Sequence, residues 1–285
     1  MLASALGEQL SELNVPSLAT DRELDIGERG AVLAFARSER PALIINAAAY
    51  TAVDDAETRE PDAMRVNAQG PAHLAEAARE LDARLLHFST DYVFDGKSQT
   101  PYTEDANTGP VTVYGRSKLL GEQRVRELLG DAAYIVRTSW LFGHNGPNFV
   151  KTMVGLMRSR AELRVVADQH GRPTYTHDLA QAALALLGVS GKPAAPAGSY
   201  HFANAQATTW HGFALEIRAA CEALGEPLQV REILPVTTEQ FPRPAPRPAY
   251  SVMDTSKIER ALGIEPRSFR VALRDYLLRE RSVSV

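Results

Sequence analysis

The feature that most constrains the fold is an alternation of short apolar runs typical of strands with longer segments of helical period over the first half of the chain. This pattern is typical of parallel strands joined by helices, which cover both faces of the sheet. We therefore predict an α/β fold with a Rossmann-like, doubly wound parallel sheet. The predicted strands are residues 14–18, 42–46, 84–89 and 134–137, and the predicted helices are residues 28–40, 61–81 and 111–129.

The alternation loosens after about residue 140, where short helical stretches (149–158, 177–187, 210–224 and 271–279) alternate with Pro- and Gly-rich loops. We predict a dinucleotide-binding Rossmann-like domain over residues 1–140. Residues 141–285 are predicted to form mainly a smaller substrate-binding region, with some segments returning to the Rossmann core. Residues 241–248 carry four prolines, which keep the segment extended. Arg243 and Arg247 interrupt it, so a linker and a substrate-facing loop both remain open.

Composition excludes several classes of protein. A formal net charge of −4 argues against a protein that neutralises many phosphates of a nucleic acid. The single cysteine, Cys221, cannot form an internal disulfide, and neither a signal peptide nor a run of about 18 apolar residues is present. The seven histidines lack metal-ligand spacing. We expect a cytoplasmic protein without membrane, nucleic-acid or metal partners, and we interpret the acidic run of Asp54, Asp55, Glu57 and Glu60 as a solvated helix face.

One pair of residues suggests acid–base chemistry. Tyr114 and Lys118 are four residues apart at the start of a predicted helix, so both side chains lie on one face. A nearby ammonium favours the phenolate and lowers the pKa of the phenol, which suits it to protonate a developing alkoxide. Such pairs also occur on ordinary amphipathic helices, so the spacing alone leaves a purely structural role open.

Two predicted strand ends extend this pattern. The strand at residues 84–89 runs directly into Ser89, Thr90 and Asp91, and ligands of parallel α/β sheets bind at the carboxyl ends of strands. Thr90 is therefore expected to touch the reacting oxygen, although capping of the strand end is an alternative. The run of small residues at 46–49 would let a flat ring or a pyrophosphate approach the backbone closely, and it would equally allow tight helix packing.

Several segments together resemble the extended short-chain dehydrogenase/reductase superfamily and, within it, the dTDP-4-dehydrorhamnose reductase family. The resemblance is collinear from residue 1 to about residue 280. It is carried by residues 46–54, 89–96, 114–118, 137–140, 148–153, 168–174, 209–210 and 247–255.

The resemblance implies reduction of dTDP-4-dehydro-L-rhamnose to dTDP-L-rhamnose with NADPH or NADH. It implies that Tyr114 donates the proton to the C4 oxygen and that Thr90 hydrogen-bonds the same oxygen. Lys118 would hold the nicotinamide ribose and tune Tyr114. The implied cofactor-binding residues are Ala49, Tyr50, Thr51, Asp25, Ile26, Arg22, Tyr114 and Lys118, and the implied substrate-binding residues are Thr90, Asp91, Trp140 and Arg247. A homodimer is a further expectation.

The sequence departs from the family at its front. Members open with a strand and a G-x-x-G-x-x-G turn that faces the cofactor pyrophosphate, and residues 1–6 match the segment that follows the second glycine, with Ala3 at the third. We expect about ten residues to be missing there. We also expect a helix from the first few residues, no strand before Val15, an incompletely paired sheet next to the strand at 42–46, and weak NADPH binding.

Two other functions remain open on the same fold. Without the Gly-rich turn, a non-catalytic, nucleotide-binding regulatory subunit is one alternative, although such a subunit has no need of Thr90, Tyr114 and Lys118 together. The other alternative is a nucleotide-sugar epimerase or dehydratase. Dehydratases usually carry further carboxylates after the catalytic threonine, whereas Tyr92 follows Asp91 here, which argues against dehydration.

Overall fold

The computed structural model describes residues 1–21, 23–191 and 193–283. Its helices are α1 (Leu2–Glu12), α2 (Arg29–Glu39), α3 (Val53–Ala56), α4 (Glu60–Met64), α5 (Gly70–Leu81), α6 (Val113–Leu129), α7 (Phe149–Ser159), α8 (Thr176–Leu186), α9 (Trp210–Ala223), α10 (Ser256–Leu262) and α11 (Phe269–Val283). Its strands are β1 (Leu43–Asn46), β2 (Arg84–Thr90), β3 (Ala133–Thr138), β4 (Leu141–Phe142), β5 (Glu162–Val166), β6 (His170–Gly171), β7 (Thr174–Tyr175), β8 (Gly198–His201), β9 (Thr208–Thr209) and β10 (Glu232–Val236).

The central sheet has the strand order β1-β2-β3-β8, and all of its pairs are parallel. Asn46 lies opposite His87, and Thr90 lies opposite Thr138, so the carboxyl ends of β1, β2 and β3 meet at one edge. Ligands of doubly wound sheets bind at this edge. Among the described residues, β1 pairs only with β2 and forms one border of the sheet.

Helices cover both faces of this sheet, which confirms the predicted doubly wound α/β class. On one face, α2, α5 and α6 pack against Leu85 and Ile135. On the other face, α1 and α8 pack together and enclose Leu86, Phe88 and Val136. Strands β2 and β3 are almost entirely buried, as expected of a parallel sheet covered on both faces, whereas the border strand β1 is half-buried except at Asn46.

A second apolar core lies in the later part of the chain. Helices α7, α9 and α11 enclose Phe142, Phe213 and Tyr276, and they pack with the parallel pair of β5 and β10. The short pairs of β4 with β7 and of β6 with β9 lie in the same part of the chain. Strand β8, however, joins the central sheet beside β3, and α8 packs in the first core. The division at residue 140 into cofactor and substrate parts remains a prediction.

One local prediction is wrong, and a second differs from the structure in one detail. Residues 14–18 form no strand, because Asn14 ends α1 in the left-handed region at φ 53° and Pro16 has no N–H to donate to a ladder. The helix predicted over 61–81 is interrupted by a π turn at Arg65–Gln69. Pro71 cannot donate to the carbonyl of Asn67, and that carbonyl lies against Gly121 of α6 instead. The expected early helix is present as α1.

Within the ranges 1–21, 23–191 and 193–283, no helix is long and apolar enough to cross a membrane. The same residues contain no group of three or more His, Cys, Asp or Glu side chains arranged to hold a metal ion.

Candidate active site

The N-terminus of α6 is held from two sides. The Thr112 hydroxyl accepts a hydrogen bond from Gly115 N at 2.9 Å and caps the helix. Glu57 accepts from Val113 N at 2.9 Å, so this member of the acidic run anchors the helix and is only partly solvated. A Cβ at residue 115 would lie 2.2 Å from the Tyr92 carbonyl oxygen, so only glycine allows this close approach. These contacts fix Tyr114 one helical turn before Lys118.

Tyr114 is buried, and the direction of its pKa differs from our expectation. Burial raises the pKa of Tyr114 to about 12, and Asp91 adds to this rise, while the nearby Thr90 hydroxyl lowers it. Lys118 is not among the groups that shift the pKa of Tyr114, and burial dominates. The predicted tuning by Lys118 is therefore wrong for this structure. At neutral pH the phenol carries its proton and is able to donate it.

Lys118 is 2% exposed on the same face of α6. Its ammonium donates to the carbonyl oxygen of Phe88 at 2.6 Å, and the Nζ atom lies 3.4 Å from Nε2 of His87. Burial lowers the pKa of Lys118 to about 8, while the negative charge of Glu122 raises it. Lys118 is thus a cation at neutral pH and loses its proton near pH 8.

Thr90 and Asp91 lie at the carboxyl end of β2, and both are buried. The Thr90 hydroxyl donates to Asp91 Oδ1 at 3.0 Å and accepts from Tyr92 N at 3.3 Å. Burial raises the pKa of Asp91 to about 6, against hydrogen bonds from Ser251 and Thr90 that lower it. The structure therefore brings together Thr90, Asp91, Tyr114 and Lys118, as the sequence predicts.

The segment between β1 and α3 contains three predicted cofactor residues. Ala49 and Tyr50 are half-buried, and Thr51 is exposed. Tyr50 N donates to Oδ1 of Asn67 at 2.8 Å, and Nδ2 of Asn67 donates to the Tyr50 carbonyl at 3.0 Å and to Ser117 of α6 at 3.0 Å. Asn67 in the π turn thus ties the segment to α6.

The other predicted cofactor residues lie in the loop before α2. Asp25 accepts from Gly27 N at 2.8 Å and from Arg65 at 2.5 Å, and the Arg65 guanidinium holds the pKa of Asp25 below its ordinary value. Ile26 is buried against Gly70. Among the described residues, neither side chain hydrogen-bonds to Tyr114 or Lys118. Arg22 lies outside the described residues.

Trp140, predicted to contact the substrate, follows β3 with a left-handed backbone at φ 47°. A non-glycine residue in this region is strained, and such strain concentrates at functional sites. Its ring stacks on Trp210, with centroids 3.6 Å apart and an interplanar angle of 9°. A Cβ at residue 171 would lie 2.4 Å from the Trp140 ring, so Gly171 is needed for this close packing.

Arg247, the predicted diphosphate ligand, lies in the Pro-rich segment 241–248 and is 19% exposed on its side chain. Its guanidinium lies 2.9 Å from Oδ1 of Asp54, and Ala245 N donates to the same carboxylate at 3.2 Å. Burial raises the pKa of Tyr92, and the charge of Arg247 partly opposes this rise. Asp54 of α3 thus holds the Pro-rich segment in place beside the site. It is only partly exposed and does more than form a solvated helix face.

Sequence reasoning missed three groups around Lys118. His87 and Asn46 form a buried hydrogen-bonded pair across β2 and β1. Glu122, one turn after Lys118, forms a buried ion pair with Arg137 of β3. The signal that was available is the occurrence of polar residues inside otherwise apolar strands, where an unpaired polar group is costly.

The residues present fit one half of a dinucleotide cofactor. Tyr114 packs near Tyr50, which follows the small residues 47–49, and small side chains at this strand end allow a flat ring to approach the backbone. The hydroxyl of Thr138, opposite Thr90, is buried with no hydrogen-bond partner among the described residues, as expected next to a polar ligand. Residues 1–285 contain no Gly-rich turn, so we assign no residue to the cofactor diphosphate.

Comparison with known proteins identifies the family. The family model described as the RmlD substrate binding domain matches residues 1–282. The dTDP-4-dehydrorhamnose reductase of Streptomyces griseus is 48% identical over 251 residues, which cover 88% of this chain and 81% of that protein.

Solved structures agree with this assignment. A dTDP-4-dehydrorhamnose reductase from Clostridium acetobutylicum has a TM-score of 0.91 and 39% identity, covering 98% of this chain and 96% of its own. The enzyme from Bacillus anthracis, solved in complex with NADP, has a TM-score of 0.89 and 37% identity, covering 98% of this chain and 95% of its own. The chain belongs to the dTDP-4-dehydrorhamnose reductase family, within the extended short-chain dehydrogenase/reductase superfamily.

Proposed function

We propose that this chain reduces the 4-keto group of dTDP-4-dehydro-L-rhamnose to give dTDP-L-rhamnose, with NADPH or NADH as the reductant. The observation that carries the proposal is the buried cluster of Thr90, Tyr114 and Lys118 at the carboxyl end of β2. Membership of the family and the NADP-bound relative support the same reaction.

Tyr114 supplies the proton. Carbonyl reduction adds a hydride to carbon and a proton to oxygen, and the bound dihydronicotinamide supplies the hydride to C4. With a pKa of about 12, the Tyr114 phenol is protonated at neutral pH and gives its proton to the C4 oxygen as negative charge develops there. Thr90 lies next to the phenol, and its hydroxyl would turn from Asp91 to donate its one hydrogen to the same oxygen and orient it.

Lys118 restores the proton. After turnover Tyr114 is a phenolate in a buried site, where its charge is costly. Lys118, with a pKa of about 8, is a much stronger acid than the phenol and carries its proton at neutral pH. Its proton replaces the one that Tyr114 gave up, and the resulting amine takes a proton from solvent before the next turnover.

The second half of the chain would bind the nucleotide sugar. We expect Trp140 to contact the substrate with the exposed part of its stacked ring, and Arg247 to bind the diphosphate, since a guanidinium takes a phosphate in bidentate fashion. Asp91 would contact the sugar. The division into a cofactor part (1–140) and a substrate part (141–285), a homodimer and a cytoplasmic location belong to the same proposal.

The test compares Tyr114→Phe with a matched control, Tyr92→Phe. Tyr92 packs edge-on against Tyr114, with ring centroids 5.5 Å apart, so both variants remove one phenolic oxygen from the same cluster. The assay follows NADPH consumption and the formation of dTDP-L-rhamnose. We expect Tyr114→Phe to lose about 10²–10⁴-fold in kcat, and Tyr92→Phe to keep most of it.

Equal activity of the Tyr114→Phe variant and the parent chain would refute the assignment of Tyr114. A folded parent chain that binds the nucleotide sugar without reducing it would refute the reductase and favour the regulatory subunit. Inversion of configuration at a carbon of the sugar, without net consumption of NADPH, would favour an epimerase.

A further inference from the structure

A row of buried polar groups extends from Lys118 into the sheet. Nε2 of His87 on β2 lies 3.4 Å from Nζ of Lys118, and Nδ1 of the same ring lies 3.0 Å from Nδ2 of Asn46 on β1. Asn46 and His87 are paired in register on neighbouring strands, and each is at most 3% exposed. The mechanism described above uses neither residue.

The hydrogen bonds around Asn46 have a definite polarity. The N–H of Ala48 donates to Oδ1 of Asn46 at 3.0 Å, and because a backbone N–H can only donate, the amide oxygen must face it. The amide nitrogen then faces His87, and it can only donate to Nδ1. Nδ1 is therefore an acceptor, and a neutral His87 ring carries its hydrogen on Nε2, the atom that faces Lys118.

We propose that His87 is a positioning residue for Lys118: Asn46 fixes the ring in its Nε2–H form, and this N–H, directed at Nζ, favours the neutral amine of Lys118. A neutral amine accepts a hydrogen bond from Nε2–H while it still donates to the Phe88 carbonyl oxygen. An ammonium has no lone pair to accept that bond, so the two sets of hydrogens oppose each other.

The other charged groups near Lys118 act in the opposite direction or are compensated. Glu122, on α6, favours the charged lysine, and it is itself paired with Arg137 of β3 and Arg126 of α6. On the β2 side, burial and the charge of Lys118 hold the pKa of His87 well below its ordinary value, so the ring stays neutral. Tyr114 is the titratable group one turn earlier on α6, and β1 contributes the uncharged Asn46.

The consequence for catalysis rests on the proposed function. A lysine that is readily converted to its amine gives its proton to the Tyr114 phenolate more easily after each turnover. His87 acts through Lys118 and touches neither the substrate nor the reacting atoms in this account.

The first experiment needs no variant, cofactor or substrate. Imidazole ¹⁵N NMR of the 285-residue chain distinguishes a protonated from an unprotonated ring nitrogen. We expect His87 to stay neutral between about pH 6 and 9, with Nε2 protonated and Nδ1 unprotonated. A ring protonated on Nδ1, or on both nitrogens, would overturn the proposal.

The second experiment is a double-mutant cycle that reads the pKa of Lys118 from its ¹³Cε chemical shift. In Asn46→Asp, one carboxylate oxygen still accepts from Ala48 N, while the other accepts a hydrogen from Nδ1 of His87. This reverses the ring, so that its Nε2 lone pair faces Lys118. We expect the pKa of Lys118 to rise by about one unit.

The same substitution in a His87→Leu background separates the ring from the new charge. The added carboxylate is still present there, so we expect only a minor part of the rise to remain. An equal rise with and without His87 would overturn the proposal. If the His87→Leu chain does not fold, the ¹⁵N spectra of the parent and of Asn46→Asp decide instead, because the proposal requires the hydrogen to move from Nε2 to Nδ1.

Activity is a separate readout. In Asn46→Asp we expect the alkaline limb of the kcat profile to move upward with the pKa of Lys118. If the parent chain does not reduce the nucleotide sugar, the proposed function fails, whereas the protonation of His87 is still decided by the ¹⁵N measurement.

Discussion

Glu122→Gln tests how firmly the catalytic helix is tied to the sheet. Glu122 is fully buried on α6, and its carboxylate pairs with Arg137 of β3 through two hydrogen bonds, of 2.9 Å from Nε and 2.8 Å from Nη2. The Arg137 side chain is 2% exposed. Arg126 donates a third hydrogen bond, of 2.9 Å, to the same carboxylate from the protein surface.

The expected cost follows from burial. Removing one partner of a buried ion pair leaves the other charge uncompensated, which costs about 3–5 kcal/mol, whereas an exposed pair contributes about 0–1 kcal/mol. Glutamine keeps the shape of Glu122 and one oxygen acceptor, so we expect a loss near the lower end, of about 3 kcal/mol in the free energy of unfolding.

The pH dependence has a definite sign. Burial alone would raise the pKa of Glu122, but hydrogen bonds and Coulombic attraction from Arg137 outweigh it, so the pKa lies below its ordinary value of 4.5. A carboxyl whose folded-state pKa is depressed stabilises the fold above its unfolded pKa, and it loses that contribution as the pH falls through the folded value. The difference between the parent chain and Glu122→Gln should therefore shrink below about pH 4.5.

The assay is urea unfolding at neutral and acidic pH, with Glu127→Gln as the matched control. Glu127 lies on the same helix and pairs with Arg124 at 2.9 Å, but both side chains are more than half exposed. We expect the control to lose less than about 0.5 kcal/mol. Similar losses in the two variants, or a loss in Glu122→Gln that does not decrease on acidification, would contradict the reasoning.

Two further predictions concern the neighbourhood of Tyr114. Asp54→Asn removes the charge that holds Arg247. We therefore expect the KM for the substrate to fall about threefold relative to the exposed control Asp55→Asn. A rise in KM would show instead that Asp54 orders the segment for binding. Asp91, with its pKa raised from 3.8 to about 6, contributes stability that is present below about pH 4 and lost as the pH rises through about 6. The loss is on the order of 3 kcal/mol in the free energy of unfolding between pH 4 and 8, and Asp91→Asn should abolish it. An unchanged pH dependence of unfolding in Asp91→Asn would refute this assignment.

The fold was predictable where an apolar run in the sequence also has a neighbouring strand with which to pair. The strands predicted at 42–46, 84–89 and 134–137 are present in the central sheet as β1, β2 and β3. The run at 14–18 forms no strand because Asn14 has a left-handed backbone and Pro16 cannot donate to a ladder, and a strand also requires a partner strand that a short run does not reveal. The π turn before α5 was missed for a related reason, since it depends on Pro71 and on the contact between Asn67 and Gly121 of another helix.

The site was predictable where its residues are neighbours in sequence. Thr90 with Asp91, and Tyr114 with Lys118, are fixed by a strand end and by one helical turn. The partner of Lys118 is His87, 31 residues away, and its choice depends on which strands are adjacent. The pKa of Tyr114 was predicted in the wrong direction because the spacing indicates a nearby charge and says nothing of burial, which dominates.

The attachments of α6 explain why Tyr114 can be placed precisely. Successive turns of the helix are held by three distant parts of the chain: Glu57 binds its first residue, His87 and the Phe88 carbonyl face Lys118, and Arg137 binds Glu122. A rotation or a one-residue shift of α6 would break all three attachments at once. Because a misplacement of about 1 Å can cost about 100-fold in rate, loosening the last of them should lower kcat more than KM. Glu122→Gln should therefore reduce turnover although its side chain touches no substrate, while Glu127→Gln, on the solvent face of the same helix, should not.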